Sequence, residues 1–235
     1  MLLTIVLTAL LIQTPDKLSP EVEYGKKSTL GRYIESPNVS ERNRAYNYAL
    51  NSIIGIRQQK LKPYLVHVVR MGAPPKNELV GGDEEEYSTR RVAQMILSQW
   101  HDSSLIPLFL EYINYHAIDP NKSHQYYGLG KEPLQDHYAA VKGLINIGQL
   151  ALEPTLHELI KCEIPDERIN GLAHQERANI IHRYKNLIYV IWCILDFDGA
   201  KNYFTMEIKK LEKTDPESTS KLRYALRHLE TNYHK

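Results

Sequence analysis

The sequence predicts an all-α fold, an α-solenoid of about four antiparallel helix pairs followed by a C-terminal capping helix. Apolar residues recur with helical spacing, and prolines recur 44 and 47 residues apart. No alternation of apolar and polar residues runs long enough to indicate a strand. A two-helix unit cannot bury both of its apolar faces by itself, so several units must stack on one another.

The clearest helix pair is predicted over residues 138–160. Ala140 and Leu144 lie four residues apart and therefore on one face of a helix. Gly148 can leave the right-handed region at low cost, so the first helix ends there. Pro154 suits the first turn of the second helix, where no backbone N–H is needed.

The same register recurs at Pro63, Pro107 and Pro154, and a fourth copy can be placed on Asn202. Apolar residues lie at matching distances from this position in each copy. The matching columns are Ala49, Ala93, Ala140 and Ile188, then Ile53, Leu97, Leu144 and Trp192, then Leu65, Phe109, Leu156 and Phe204, then Val69, Ile113, Ile160 and Ile208. The spacing falls in the range of about 40–47 residues that is typical of two-helix repeats. The alternative interpretation is an irregular helical bundle.

With these columns, the chain resembles the HEAT-like (armadillo-type) helical repeat family over residues 43–213. The resemblance implies stacked helix pairs whose second helices line a concave surface, which is where extended partners bind. Such motifs are specific for a fold and hardly at all for an activity.

The candidate partner-binding residues lie on the second helices, on the side that the resemblance assigns to the concave surface. They are Tyr64, His67, Glu111, Tyr115, Glu158 and Lys161. Tyrosine and histidine are good contact residues because they combine contact area with a polar tip. The alternative is that these residues form the ordinary polar side of an amphipathic helix.

These observations predict a non-catalytic scaffold that binds a protein or peptide through its concave face. The alternatives are a HEAT-like repeat enzyme, of the bilin lyase or DNA alkylbase glycosylase type, and a structural domain of an envelope complex. The net charge is +1, from 29 basic and 28 acidic residues, so no nucleic-acid partner is predicted. Glu111 and Glu158 on the concave face also argue against a glycosylase.

No catalytic constellation, cofactor site or metal site is predicted. His174 and His182 lie eight residues apart, which is two helical turns, whereas two histidines that reach one ion lie a single turn apart. Cys162 and Cys193 are the only cysteines. They could pair across neighbouring units in an exported protein, but the apolar surroundings of Cys193 favour a free, buried thiol.

Residues 1–13 indicate a signal sequence, because Leu2–Ile12 is an apolar run too short to span a bilayer. This predicts an exported protein, periplasmic or extracellular, with no stable membrane span. The alternative is a buried first helix in a cytoplasmic protein. Residues 14–38 are broken by prolines and glycines and predict a linker, so residues 39–235 form the predicted repeat domain.

Two helix starts are predicted from capping residues. Ser40 is the predicted cap of the first repeat helix. Asp215 and Pro216 combine a capping side chain with a first-turn proline, so the C-terminal capping helix begins there. Leu222 and Leu229 lie on its apolar face.

Overall fold

The computed structural model describes residues 18–51, 56–71, 89–115, 138–164 and 174–233. Within these ranges the protein is all-α and has no strand, so the predicted all-α class is confirmed. The helices are α1 (Pro20–Lys27), α2 (Thr29–Ile34), α3 (Val39–Asn51), α4 (Ile56–Arg70), α5 (Thr89–Ser98), α6 (Ile106–Glu111), α7 (Ala139–Ile147), α8 (Leu152–Lys161), α9 (His174–Leu211) and α10 (Pro216–Asn232). Short 3₁₀ turns at Ser103–Leu105 and Gly148–Ala151 lead into α6 and α8.

The helices pack mainly against helices that are near them in the chain. α3 contacts α5, α5 contacts α7, and α7 contacts α9. α4 lies against α5, α6 lies against α7 and α8, and α8 lies against α9. At the two ends, α1 packs against α4 and α2 against α3, while α10 packs against α9 and α8. The buried apolar side chains form one connected core from α1 to α10.

The matching apolar columns lie in this core wherever the structure describes their side chains. The fully buried members are Ala93, Ala140, Ile188, Leu97, Leu144, Leu65, Phe109, Leu156, Phe204, Val69 and Ile113. Trp192, Ile160 and Ile208 are half-buried and pack against the same core. The positions that recur in the sequence therefore correspond to buried or half-buried side chains of the core.

Residues 20–34 were predicted to be part of a linker, but they form α1 and α2. Ser19 caps α1, since its hydroxyl oxygen accepts a hydrogen bond from the Val22 N–H at 3.4 Å. Ser28 caps α2 in the same way, through the Gly31 N–H at 3.0 Å. Apolar side chains from both helices enter the core, so the folded unit begins before residue 39.

Two glycines allow helices to approach closely. A Cβ at Gly25 in α1 would lie 2.2 Å from the Cβ of Tyr64 in α4. A Cβ at Gly143 in α7 would lie 2.4 Å from the ring of Phe109 in α6. Real Cβ atoms do not approach other atoms so closely, so glycine is required at both positions.

Three predicted helix boundaries agree with the structure and one does not. Gly148 has a φ of 73° and ends α7. Pro107 and Pro154 lie in the first turns of α6 and α8. Pro63 lies inside α4, because that helix already begins at Ile56. Pro63 therefore does not mark the start of this helix, although proline is most favourable in a first turn.

The capping residues of α3 and α10 were predicted with mixed success. Asn38 caps α3 in place of Ser40, because its Oδ1 accepts a hydrogen bond from the Ser40 N–H at 2.8 Å. Asp215 caps α10 as predicted, accepting a hydrogen bond from the Ser218 N–H at 3.0 Å. Pro216 is the first residue of α10.

α9 is interrupted at Asp196, whose φ is 62° and ψ is −174°. The Oδ1 of Asp196 accepts a hydrogen bond from the Gly199 N–H at 2.8 Å and thereby caps the residues that follow. α9 therefore has a first half, residues 174–195, and a second half, residues 197–211. The break falls between the two helices that the register at Asn202 predicts.

The prediction of a signal sequence concerns residues 1–13, which lie outside the described residues. In the parts of the chain that are described, no helix is both long enough and apolar enough to cross a bilayer. Cys162 and Cys193 are free thiols, so the disulfide that an exported protein could form is not present.

Candidate functional site

The predicted partner-binding residues belong to α4, α6, α8 and the segment just after α6. Opposite their buried sides, α4, α6, α8 and the second half of α9 each have an exposed side, which we call the second-helix face. It carries His67, Arg70, Glu111, His157, Lys161 and Met206, all of them exposed or half-buried. Four of the six predicted residues, namely His67, Glu111, Glu158 and Lys161, lie at or beside this face.

Tyr64 does not contribute to the second-helix face, which corrects the prediction. Its side chain is only 1% exposed because α1 packs over it at Gly25. The hydroxyl donates a hydrogen bond to Glu35 Oε1 at 3.1 Å. Burial, together with the nearby Glu35 carboxylate, raises the pKa of Tyr64 well above its usual value. Tyr64 is therefore a core residue that joins α4 to the amino-terminal helices.

Tyr115 is also buried, with 3% exposure, and the prediction that it faces a partner is wrong. α6 ends at Glu111, so the helical spacing that would have placed Tyr115 beside the exposed residues no longer applies. The Arg90 guanidinium lies 5.4 Å from the centre of the Tyr115 ring, a cation–π distance. Tyr115 thus packs beneath the start of α5.

Glu111 links α6 to α4. Its Oε2 lies 3.6 Å from a terminal nitrogen of Arg70, the last residue of α4. The Arg70 side chain is more than half exposed, so solvent screens this ion pair and its contribution to stability is small. The pair shows that the C-terminal ends of α4 and α6 lie close together.

Glu158 forms the least exposed ion pair near the face. Arg183, in the first half of α9, donates a hydrogen bond from Nη2 to Glu158 Oε1 at 2.5 Å. Lys161 lies farther away, with its Nζ 4.0 Å from the other carboxylate oxygen. The Arg183 Nη1 is buried without a hydrogen-bond partner. Glu158 therefore compensates a cation that is only 13% exposed, and it is less available to a partner than Lys161.

Cys162 lies beside the same ion pair, at the end of α8. Burial raises the pKa of its thiol, and the neighbouring Arg183 offsets only part of that effect. Since a thiolate is the reactive form of cysteine, this environment does not activate Cys162 as a nucleophile. Burial also raises the pKa of Cys193, to about 11. Both thiols behave as packing groups.

Sequence reasoning missed the arginines Arg70, Arg90 and Arg183, which contact the predicted residues. Arg70 could have been found, because it lies one helical turn after His67 on the same side of α4. Arg183 is 25 residues from Glu158 in the chain, and no local spacing connects them. Contacts of that kind depend on how two helices pack and are visible only in the fold.

Comparison with protein-family models, curated proteins and solved structures finds no match for this chain. Within the described ranges, no group of three or more His, Cys, Asp or Glu side chains could hold a metal ion. The chemistry that is visible on the second-helix face consists of ion pairs, exposed cations and the exposed Met206. These groups can bind another molecule by contact and charge.

Proposed function

We propose that this protein is a non-catalytic scaffold of stacked helix pairs, of the HEAT-like type, and that it binds a protein or peptide through the second-helix face. The observation that carries the proposal is the uncovered side of the second helices. Each of α4, α6 and α8 buries one side in the core, and large apolar side chains are exposed nearby. Met71 is 57% exposed just after α4, and Met206 is 53% exposed in the second half of α9.

The stacking part of the proposal is supported by the order of helix contacts. α3, α5, α7 and α9 form a consecutive series in which each helix contacts the next. α4, α6 and α8 connect to this series from beside it, each packing against a first helix of the next pair. An irregular bundle has no reason to repeat this order. The helices α1 and α10 then lie at the two ends, as terminal capping helices do.

Side-chain contacts support a common direction for the second helices. Arg70 at the end of α4 pairs with Glu111 at the end of α6. Lys62, earlier in α4, pairs with Asp102 just before α6, at 2.6 Å. The earlier residue of α4 pairs near the start of α6, and the later residue pairs at its end. This order favours a parallel arrangement of α4 and α6. Parallel second helices expose matching positions on one surface, which suits an extended partner.

Exposed methionines suit a contact surface for proteins. Methionine is flexible and polarisable, so it adapts to different apolar partners. His67 lies one helical turn before Met71, and Lys209 and Lys210 lie one turn after Met206. These side chains combine apolar stems with polar tips. A surface of this composition resembles the mixed character of protein interfaces more than that of an enzyme cleft.

Paired variants test this proposal. Met71→Ser with Met206→Ser removes two exposed apolar side chains from the second-helix side. Tyr24→Ser with Leu150→Ser removes two exposed apolar side chains elsewhere and is the matched control. Affinity capture from the native host, read by mass spectrometry, should recover the same partner with the wild type and the control and lose it with the methionine variant. Equal recovery with all three proteins would refute a second-helix binding surface.

A further inference from the structure

Basic residues collect at the C-terminal ends of the second helices. Arg70 lies in the last turn of α4, Lys161 in the last turn of α8, and Lys209 and Lys210 in the last turn of α9. All four are exposed. We call Arg70, Lys161 and Lys209 the basic edge.

The helix dipole alone does not explain this distribution. A cation stabilises the C-terminal end of any helix, by roughly 0.3–1 kcal/mol. The last turns of α3, α5 and α7, the first helices of the pairs, nevertheless contain no basic residue. Among the second helices only α6 lacks one, and its last residue, Glu111, pairs with Arg70. Basic residues in the last turn are therefore found on second helices and not on α3, α5 or α7.

The charges of the basic edge are only weakly neutralised. The Glu158 carboxylate lies nearer to Arg183, at 2.5 Å, than to Lys161, at 4.0 Å. Arg70 pairs with Glu111 at 3.6 Å, which is a loose contact. In the part of the chain that the structure describes, Lys209 has no ion pair. Arg70 and Lys161 therefore have only loose ion-pair contacts with the carboxylates that the structure describes.

Each cation of the basic edge follows a histidine or a methionine by one helical turn. His67 precedes Arg70, His157 precedes Lys161, and Met206 precedes Lys209. Residues three or four apart on a helix are neighbours on its surface. The basic edge is therefore bordered by a row of side chains that can contact apolar groups. A surface that combines charge with apolar contact area is suited to binding a segment of another protein.

We propose that the basic edge binds an acidic segment of the protein partner, with the carboxylates of that segment beside Arg70, Lys161 and Lys209 and its apolar side chains against the neighbouring row. This inference rests on the proposed function and names the partner's chemistry. Complementary charge speeds association and fixes register, while the apolar row adds contact area.

A nucleic acid fits the same surface less well. Its phosphates repeat at short, regular intervals and need a continuous series of cations. On this surface the carboxylate of Glu111 lies beside Arg70, and that of Glu158 lies near Lys161, so the cations do not form an uninterrupted series. An acidic protein segment can place its carboxylates at intervals and leave the positions beside these glutamates uncharged.

Fluorescence anisotropy with a labelled, glutamate-rich peptide that also contains leucines tests the inference on the full chain. Lys161→Glu with Lys209→Glu reverses two charges of the basic edge. Arg44→Glu with Lys142→Glu reverses two charges on the first helices α3 and α7 and is the matched control. Lys161→Gln with Lys209→Gln is a milder variant, which decides the result if the charge reversal prevents folding. A single-stranded DNA oligonucleotide serves as a second polyanion.

The inference predicts that the wild type and the control bind the peptide with affinities within about twofold of each other. The edge variant should bind at least about tenfold more weakly, equivalent to about 1.4 kcal/mol. Absence of peptide binding to the wild type, an equal loss in both charge reversals, or equally tight binding of the oligonucleotide at this edge would each overturn it. If the peptide fails while the methionine variants still lose the captured partner, the inference fails and the proposed function stands. If neither effect is seen, both are wrong.

Discussion

Arg183 donates a hydrogen bond to Glu158 at 2.5 Å, and this pair joins the first half of α9 to α8. Only 13% of the Arg183 side chain and 26% of the Glu158 side chain are exposed. The pair connects α8, which carries Lys161, to the helix that follows it, so it helps to fix the position of α8 against α9. The charge of Glu158 is therefore a structural feature as well as a surface feature.

Removal of the Glu158 carboxylate should destabilise the protein. Glu158→Gln leaves the Arg183 cation buried without its partner, and we expect a loss of roughly 2–3 kcal/mol. Glu158→Gln with Arg183→Met should cost less than the two single changes added together, because neither charge is then left unpaired. Urea unfolding measures all three values. Glu207→Gln is the control, since its exposed partner Lys210 should make the loss smaller than about 0.5 kcal/mol. Additive losses would show that the pair is not coupled.

Substitution of Tyr64 should affect the core. Tyr64→Ala removes a ring that is packed against α1 and should lower the free energy of unfolding by about 3–5 kcal/mol. Tyr24→Ala, in the exposed part of α1, should change it by less than about 0.5 kcal/mol. Thermal and urea unfolding distinguish the two. Similar small effects in both variants would indicate that Tyr64 is exposed, as the sequence pattern had predicted.

Adding one methyl group at Gly143 should disturb the close contact between this residue and Phe109. Gly143→Ala places a Cβ 2.4 Å from the ring, so α6 and α7 must move apart, at a cost of about 1–3 kcal/mol. Phe109→Leu in the same chain makes room for the methyl group, and the double variant should be more stable than the sum of the single changes predicts. Strict additivity in urea unfolding would contradict the contact.

The break in α9 should tolerate glycine better than alanine at residue 196. Asp196→Ala loses the hydrogen bond to Gly199 and keeps an unfavourable positive φ, so we expect a loss of about 1–2 kcal/mol. Asp196→Gly also loses the cap but adopts this φ without strain, and it should be the more stable of the two. Calorimetry of both variants gives the difference. A less stable glycine variant would mean that α9 is continuous.

Mild acid should destabilise the fold through His182 and His228. Burial lowers the pKa of each to about 4, and Lys185 adds to the effect. The unfolded chain binds protons near the ordinary value of 6.5, so it holds more protons than the folded protein between about pH 6.5 and 4. The free energy of unfolding should have its full value above this pH window and should decrease as the pH falls through it.

For each histidine the slope can reach at most about 1.4 kcal/mol per pH unit, and solvent screening makes it smaller because both side chains are only half-buried. Urea midpoints measured across this window test both. His182→Gln with His228→Gln should flatten the pH dependence. An unaltered slope in the double variant would contradict the assignment.

The all-α class and the buried columns could be predicted from the sequence because they depend on local spacing. Ala140 and Leu144 share a face in any helix, and Gly148 and Pro154 mark helix ends through their own backbone properties. The amino-terminal helices were missed because Pro20 and Gly25 were interpreted as breaks. Pro20 instead opens α1, and Gly25 is needed for its close contact with Tyr64.

The exposed side of each helix was harder to predict than the buried side. Tyr64 lies beside the predicted core column, and its burial depends on α1, which packs against α4 from a distant part of the sequence. Tyr115 follows the end of a short helix, so its position does not continue the spacing of α6. The partner of Glu158 comes from α9. A sequence pattern shows which positions repeat, while exposure also depends on which helices pack alongside.

Site-specific photo-crosslinking tests the central claim, a partner bound on the second-helix face, most directly. A photoreactive residue is placed at His157 or Met206 on this face, or at Arg44 or Leu150 as controls away from it. After irradiation in the native host, we predict that His157 and Met206 give a discrete adduct with one protein and that Arg44 and Leu150 give none. Adducts from Arg44 or Leu150 alone would contradict the account.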